Sequence, residues 1–198
     1  MNKSIIKQII TLQKTRFLNF YHVIYENKMG QEKNWFIASR KDEMQIKQQL
    51  LEDKKDKVDA VLLNVRHQDE NKLVIIKQYR VPLNDYIYEL PAGLIDEGED
   101  LFEAAARELK EETGLTLVAI DTDKSHNQAY LSPGMTDESL GIVYGECKGE
   151  ISTAFLEADE EIKPMLISKE EAKQIIASNE KIDIKALMAL QHFILNNE

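Results

Sequence analysis

Two hydrophobic periods divide the chain. Residues 17–25 and 35–39 are rich in aromatic and β-branched positions and flank the turn-forming Asn27-Lys28-Met29-Gly30, which predicts an antiparallel hairpin. Residues 41–57 are charged and read as a connection. Apolar runs at 58–65 and 73–76, separated by His67-Gln68-Asp69-Glu70-Asn71, predict a second hairpin, and residues 86–90 a short strand running into Pro91-Ala92-Gly93. The period changes from Leu101 to Thr113: Phe102, Ala105, Ala106 and Leu109 recur at spacings of three and four, no Gly or Pro interrupts, and Gly114 stands where a left-handed cap belongs. This predicts a helix with one buried face. Strand patterns resume at 115–120, 129–131, 140–144 and 165–167, and amphipathic helices at 169–177 and 184–195 close the chain. Strands gathered in runs around one central helix predict an α+β fold with a mixed sheet and not a doubly wound parallel one. Residues 1–50 read as an N-terminal β-hairpin subdomain and 51–198 as the main domain.

Charge changes the picture by its placement. The 198 residues carry 25 Lys and Arg against 35 Asp and Glu, a net of −10. Residues 96–112 hold eight carboxylates against Arg107 and Lys110, a net of −6, and residues 157–171 hold six against Lys163 and Lys169, a net of −4, so the remainder is neutral overall. An acidic excess disfavours unassisted binding to nucleic acid or an anionic membrane, and acid concentrated in two stretches suggests cation sites. A single cysteine, Cys147, excludes an intramolecular disulfide and a cysteine-based zinc site, and the four histidines lack ligand spacing. The first fourteen residues do not read as a secretory signal, and no run approaches the roughly 18 apolar residues of a membrane span. A reduced cytoplasmic protein is the expectation.

The predicted central helix carries coordination chemistry. Glu108 and Glu112, four apart, project from one face; Glu111 lies beside them, and Glu99 precedes the helix and can reach back to the same edge. Like charges at that spacing destabilise a bare helix by a few tenths of a kcal/mol, so a helix that keeps them needs compensation. Arg107 supplies part, with Glu103 and Glu111 at i−4 and i+4; a divalent cation such as Mg²⁺ or Mn²⁺ would supply the rest, with the Ala92 carbonyl as a further oxygen donor. Taken alone, the glutamate pair is more readily read as a solvated acidic face. The full spacing removes that reading. Gly93, five residues, Glu99, seven residues, then Arg107-Glu108-Leu109-Lys110-Glu111-Glu112-Thr113-Gly114-Leu115 matches every position of the Nudix box, G-x5-E-x7-R-E-U-x-E-E-x-G-U.

The chain therefore resembles the Nudix hydrolases, which cleave a pyrophosphate linkage between a nucleoside and another moiety. The resemblance implies a mixed β-sheet sandwiched between helices, with Glu108 and Glu112 as main metal ligands, Ala92 and Glu99 assisting, Glu111 as a catalytic or assisting carboxylate, and Arg107 orienting the glutamates. Lys77-Gln78-Tyr79-Arg80, the stretch 88–99 and Ser132-Pro133-Gly134-Met135-Thr136-Asp137-Glu138 resemble the ADP-ribose pyrophosphatase branch. That likeness implies substrate contacts from Trp35, Arg40, Arg80, Glu89, Pro133 and Gly134, with Phe17 as the second aromatic of an adenine sandwich. One departure is that Pro133 falls eighteen residues after Leu115, further than is usual in the branch, which leaves the shape of the 120–130 loop open.

Residues 157–162 sit where the branch offers a water-activating glutamate; Glu160 is the first candidate and Glu161 and Glu157 the alternatives. The resemblance further implies Mg²⁺, with Mn²⁺ as substitute, a nucleoside diphosphate sugar as substrate, and a homodimer built through the N-terminal hairpin, in which Trp35 serves its own or the partner's site. ADP-ribose, cleaved to AMP and ribose 5-phosphate, is the leading substrate. UDP-glucose, GDP-mannose and NADH are rivals, and a non-catalytic Nudix ligand sensor or an acidic protein-interaction domain are rivals of other classes.

Overall fold

Two caps set the limits of the central helix. Asp100 accepts from the amides of Phe102 and Glu103 at 2.8 and 2.9 Å while Glu103 accepts from the Asp100 amide at 3.0 Å, a reciprocal capping box. Gly114, at φ 76°, ends the helix with its amide on the Lys110 carbonyl. The computed structural model containing this helix describes residues 3–52, 54–158 and 160–196; Met1, Asn2, Asp53, Asp159, Asn197 and Glu198 lie outside it. In chain order its elements are β1 (Ile5–Gln13), β2 (Asn19–Glu26), β3 (Glu32–Ser39), α1 (Glu43–Leu51), β4 (Ala60–His67), β5 (Lys72–Arg80), β6 (Asp85–Glu89), β7 (Ala92–Leu94), α2 (Leu101–Thr113), β8 (Thr116–Tyr130), β9 (Ser139–Lys148), β10 (Ile162–Ile167), α3 (Lys169–Ala177), β11 (Lys181–Ile182) and α4 (Ile184–Leu195).

The chain divides into two compact units, one of residues 1–59 with 128–140, the other of 60–127 with 141–198. In the first, β1, β2 and β3 form an antiparallel sheet, and Ile9, Tyr21 and Val23 from it bury against Ile46 of α1, with Ile6, Ile37 and Leu50 around them. The predicted hairpin is thus present, with Asn27 to Gly30 at its turn, and is extended by β1. Residues 41–57, read as a connection, instead contain α1, which starts at an Asp42–Gln45 capping box. Its sequence offers little apolar signal because Ile46 is its one buried residue.

In the second unit a mixed sheet runs β11-β6-β5-β4-β9-β8, with β10 paired to β5 and β7 to β4; β11 is parallel to β6. Alternation along β4 separates its faces. Val61, Leu63 and Val65 pack with Ala104, Ala105 and Leu109 of α2, in a core completed by Val74, Leu115, Val143 and Cys147. On the opposite face Arg66 lies over the Phe193 ring of α4, whose Ala186, Ala189, Leu190 and Phe193 are buried. Helices therefore cover both faces of the sheet, as expected. Two details differ from expectation. The α2 stripe buries Ala104 and leaves Ala106 exposed, and 115–120 and 129–131 belong to one strand, β8, into which the longer 120–130 stretch is absorbed.

Candidate active site

The site grows from the Pro91-Ala92-Gly93 turn and the face of α2 it meets. A Cβ built on Gly93 would lie 2.0 Å from the Glu108 carboxyl carbon and from one of its oxygens, so glycine here leaves the Glu108 carboxylate room to stay where it is. The neighbouring Ala92 amide donates to Glu112 Oε2 at 3.0 Å. The two glutamates project from the same side of α2, as the spacing predicted, but they are not on a solvated face: Glu108 is 9% and Glu112 2% exposed.

Arg107 organises the rest. Its guanidinium donates to both oxygens of Glu99 at 2.8 Å, to Glu108 at 2.7 Å, to Glu111 at 3.0 Å and to the Leu94 carbonyl at 2.9 Å. The i−4 pairing with Glu103 does not form, because Glu103 closes the capping box. One cation thereby gathers three glutamates and the strand that precedes them. The Arg107 hydrogen bonds hold the Glu99 carboxyl down to about 2.

Burial has the opposite effect on the inner pair. It pushes Glu112 well above the ordinary carboxylate range, against the Ala92 amide, and the charges of Glu108 and Glu160 push the same way while Arg80 opposes them. Burial also raises Glu108, against Arg107, with Glu111 and Glu160 adding to the rise. A buried carboxylate pair that is costly to ionise is relieved by a multivalent cation, and its hard oxygen donors suit such an ion. Glu108 and Glu112, with Glu99, Glu111 and the Ala92 backbone beside them, are therefore the residues that can hold one. Among the described residues no three His, Cys, Asp or Glu side chains converge tightly enough to enclose an ion unaided; a cation here would complete its shell with backbone, water or substrate oxygens.

The charges of two further groups act on this cluster. Arg80 clamps Glu89 through two parallel bonds of 2.7 Å, and its charge acts on Glu112. Glu160 accepts from the Glu157 amide at 2.9 Å while its charge acts on both buried glutamates. Glu161 is turned elsewhere, accepting from the Tyr86 hydroxyl at 2.9 Å, and Glu157 is exposed.

The remaining expected residues belong to the first compact unit. Trp35 is on β3 opposite Val23 and 47% exposed; Phe17, 66% exposed, lies in the turn between β1 and β2 with the Arg16 guanidinium 4.8 Å from its ring centroid. Pro133 and Gly134 form a turn closed by bonds from the Met135 and Thr136 amides to the Ser132 carbonyl, and this loop docks on β3 through Ala38. Arg40 bonds Glu138 of the same loop at 2.6 Å.

Beside it is a group the sequence reading missed. The Lys41 ammonium, 11% exposed as a side chain, lies 2.9 Å from Asp137, 3.1 Å from Asp56 and 3.5 Å from Asp59. Burial alone would lower its pKa; the three carboxylates more than reverse this. No spacing in the sequence connects these residues, which only the fold assembles.

A family model described as "NUDIX domain" matches residues 53–188. The ADP-ribose pyrophosphatase of Bacillus subtilis (strain 168) is 35% identical over 131 residues, which cover 64% of this chain and 68% of that protein. Putative nudix hydrolase 2 of Caenorhabditis elegans is 36% identical over 115 residues, covering 56% of this chain but only 51% of the relative, so the match spans about half of that longer protein. A solved structure titled as an ADP compounds hydrolase superposes with a TM-score of 0.71 at 19% identity, covering 96% of this chain and 92% of the other, a likeness of fold. With a family model over residues 53–188, a buried glutamate pair on the box helix and a glycine in van der Waals reach of one of them, this chain belongs to the NUDIX domain family.

Proposed function

We propose that this protein is a divalent-metal-dependent hydrolase that cleaves the pyrophosphate bond of ADP-ribose into AMP and ribose 5-phosphate. The observation that carries the reading is the buried Glu108–Glu112 pair, packed against Gly93 and joined by Arg107 to Glu99 and Glu111. The choice of ADP-ribose is supported by the name of the Bacillus subtilis relative. In this reading Glu108 and Glu112, with Glu99, Glu111 and the Ala92 carbonyl, hold Mg²⁺, or Mn²⁺ in its place. The bound cation supplies charge neutralisation on the pyrophosphate and acidifies the attacking water.

The chain's own groups do the rest. Arg107 fixes the glutamates against their mutual repulsion. Arg80, oriented by Glu89, offers guanidinium donors to the phosphate oxygens. Glu160 accepts the proton of the water that attacks phosphorus, as the bridging P–O bond breaks and its electrons pass to the departing phosphate. Trp35, Phe17, Arg40, Pro133 and Gly134 complete the proposal as nucleotide contacts, Trp35 in its own or a partner protomer's site.

The 1–50 subdomain is the proposed dimerisation element of a homodimer, beside a 51–198 hydrolase domain. Phe20, His22 and Phe36 stack at centroid distances of 5.9 and 5.0 Å on one face of the three-stranded sheet, with Phe20 and Phe36 42% and 52% exposed; a second copy of the chain is the occupant that would cover them. No helix among the described residues is long and apolar enough to cross a membrane; a cytoplasmic location belongs to the proposal.

The test is a panel: purified protein with Mg²⁺ and ADP-ribose, UDP-glucose, GDP-mannose or NADH, with products separated by chromatography. ADP-ribose should be consumed fastest, giving AMP and ribose 5-phosphate. Preference for another member would move the substrate assignment within the class. Folded protein that binds Mg²⁺ and hydrolyses none of them would sink the enzyme reading in favour of a ligand sensor.

A further inference from the structure

The segment between β9 and β10, residues 149–161, is fastened at both ends. Near its start the Ser152 amide donates to the Thr113 carbonyl at the end of α2 at 2.9 Å, and a Cβ on Gly114 would lie 2.6 Å from the Ser152 Cβ. The Phe155 ring lies beneath the Lys110 ammonium, 4.6 Å from its centroid. At its far end Glu161 is held twice, by the Tyr79 amide on its carbonyl at 3.0 Å and by the Tyr86 hydroxyl on its carboxylate at 2.9 Å. The Tyr86 ring is itself fixed, edge-on to Tyr79 at 5.6 Å and with the Lys163 ammonium 5.0 Å from its centroid. Between the fasteners lies Glu160, whose charge acts on Glu108 and Glu112.

Glu160 is the next residue back along the chain: its amide donates to the Glu157 carbonyl at 3.1 Å and its carboxylate accepts from the Glu157 amide at 2.9 Å, so the bond that holds Glu161 on Tyr86 fixes the far end of the turn that carries Glu160. We infer that Tyr86 and Glu161 form a latch that aims Glu160 at the Glu108–Glu112 pair, Glu161 acting as a positioning residue and not as the group that takes the proton. The inference rests on the reading of Glu160 as the water-activating carboxylate. Glu161 is close enough in sequence to be mistaken for that residue, and the latch gives it a different task.

The roles separate by substitution in the full-length protein with Mg²⁺ and ADP-ribose. Tyr86→Phe keeps the ring and removes only the donor; loss of one hydrogen bond to a charged group that aims the base should lower kcat about tenfold. KM should stay within about twofold, since no substrate contact is lost, and the thermal midpoint should move by no more than about 2 °C. Glu161→Ala should match Tyr86→Phe, the double variant should be no worse than either, and Glu161→Gln, whose amide oxygen still accepts, should recover most of the loss. Glu161→Gln as inactive as Glu160→Gln would overturn the latch by making Glu161 the proton acceptor. Tyr86→Phe at wild-type kcat, with Glu160→Gln impaired, overturns the latch alone. Glu160→Gln at wild-type activity overturns the premise, and the inference with it.

Discussion

Gly93→Ala isolates the contact on which the proposed metal cradle depends. The new Cβ would lie 2.0 Å from the carboxyl carbon and one oxygen of Glu108 and 2.2 Å from the other oxygen, against an ordinary contact of about 3.5 Å, an overlap of about 1.5 Å. The backbone at Gly93 is paired to Val61 of β4 and cannot back away without breaking the β4–β7 ladder. Glu108 is the partner that must yield. To do so its carboxylate leaves the Arg107 guanidinium, now at 2.7 Å, at a cost of about 1.5–3 kcal/mol for a charge-assisted bond. A displacement of about 1 Å in such a group costs about a hundredfold in rate. The expected result is kcat/KM for ADP-ribose lowered about a hundredfold, a higher Mg²⁺ concentration at half-maximal rate, and a folded protein less stable to denaturant by about 1–3 kcal/mol. Kinetics at a series of Mg²⁺ concentrations, paired with a urea titration, measures both. A variant within about threefold of wild type at every Mg²⁺ concentration would refute the reasoning, since Glu108 would then either not be displaced or not matter.

Two other expectations follow from charge. Lys41→Met leaves Asp56, Asp59 and Asp137 close together without their cation and should destabilise the protein by about 3 kcal/mol in urea, partly recovered by adding Asp137→Asn; a loss below about 1 kcal/mol would show that the three aspartates do not need the ammonium. Glu99 is depressed from 4.5 to about 2 by Arg107, so its contribution is present above pH 4.5 and is lost as pH falls from there toward 2. Across that window the thermal midpoint of wild type should fall more steeply than that of Glu99→Gln, and parallel curves would contradict the assignment.

The parts of the fold that the sequence makes legible are those with local causes. Helix α2 has its period, its Asp100 cap and its Gly114 stop within one stretch, and its observed bounds match those expected. Strand β1 is hidden because register shifts between Ile6 and Gln8 and between Thr11 and Gln13 break the alternation that would reveal it; Ile5, Ile6, Ile9 and Ile10 instead carry a helix-like spacing. Helix α1 is hidden because eight of its nine residues do not need burial. In the candidate site, the box spacing points to Glu108 and Glu112, but not to their burial, which follows from the sheet and turn that cover them. Helix position pairs Arg107 with Glu103 and Glu111; the Glu111 pair forms, but Glu103 closes the cap, and chain return through the 94–99 turn brings Glu99 to the guanidinium in its place. Lys41 and Asp137 are 96 positions apart, and nothing in either's neighbourhood announces the other.

The cysteine that excluded a disulfide has a practical consequence. Cys147 is fully buried in the core under α2, where burial pushes its thiol up to about 12. A thiol so protonated and enclosed does not meet reagents or oxidants in the native state. Modification must wait for the β9–α2 packing to open, so the labelling rate reports the free energy of that opening. The chain thus carries an intrinsic timer for the loosening of its own core, with no engineered probe and no competing thiol to confuse the signal.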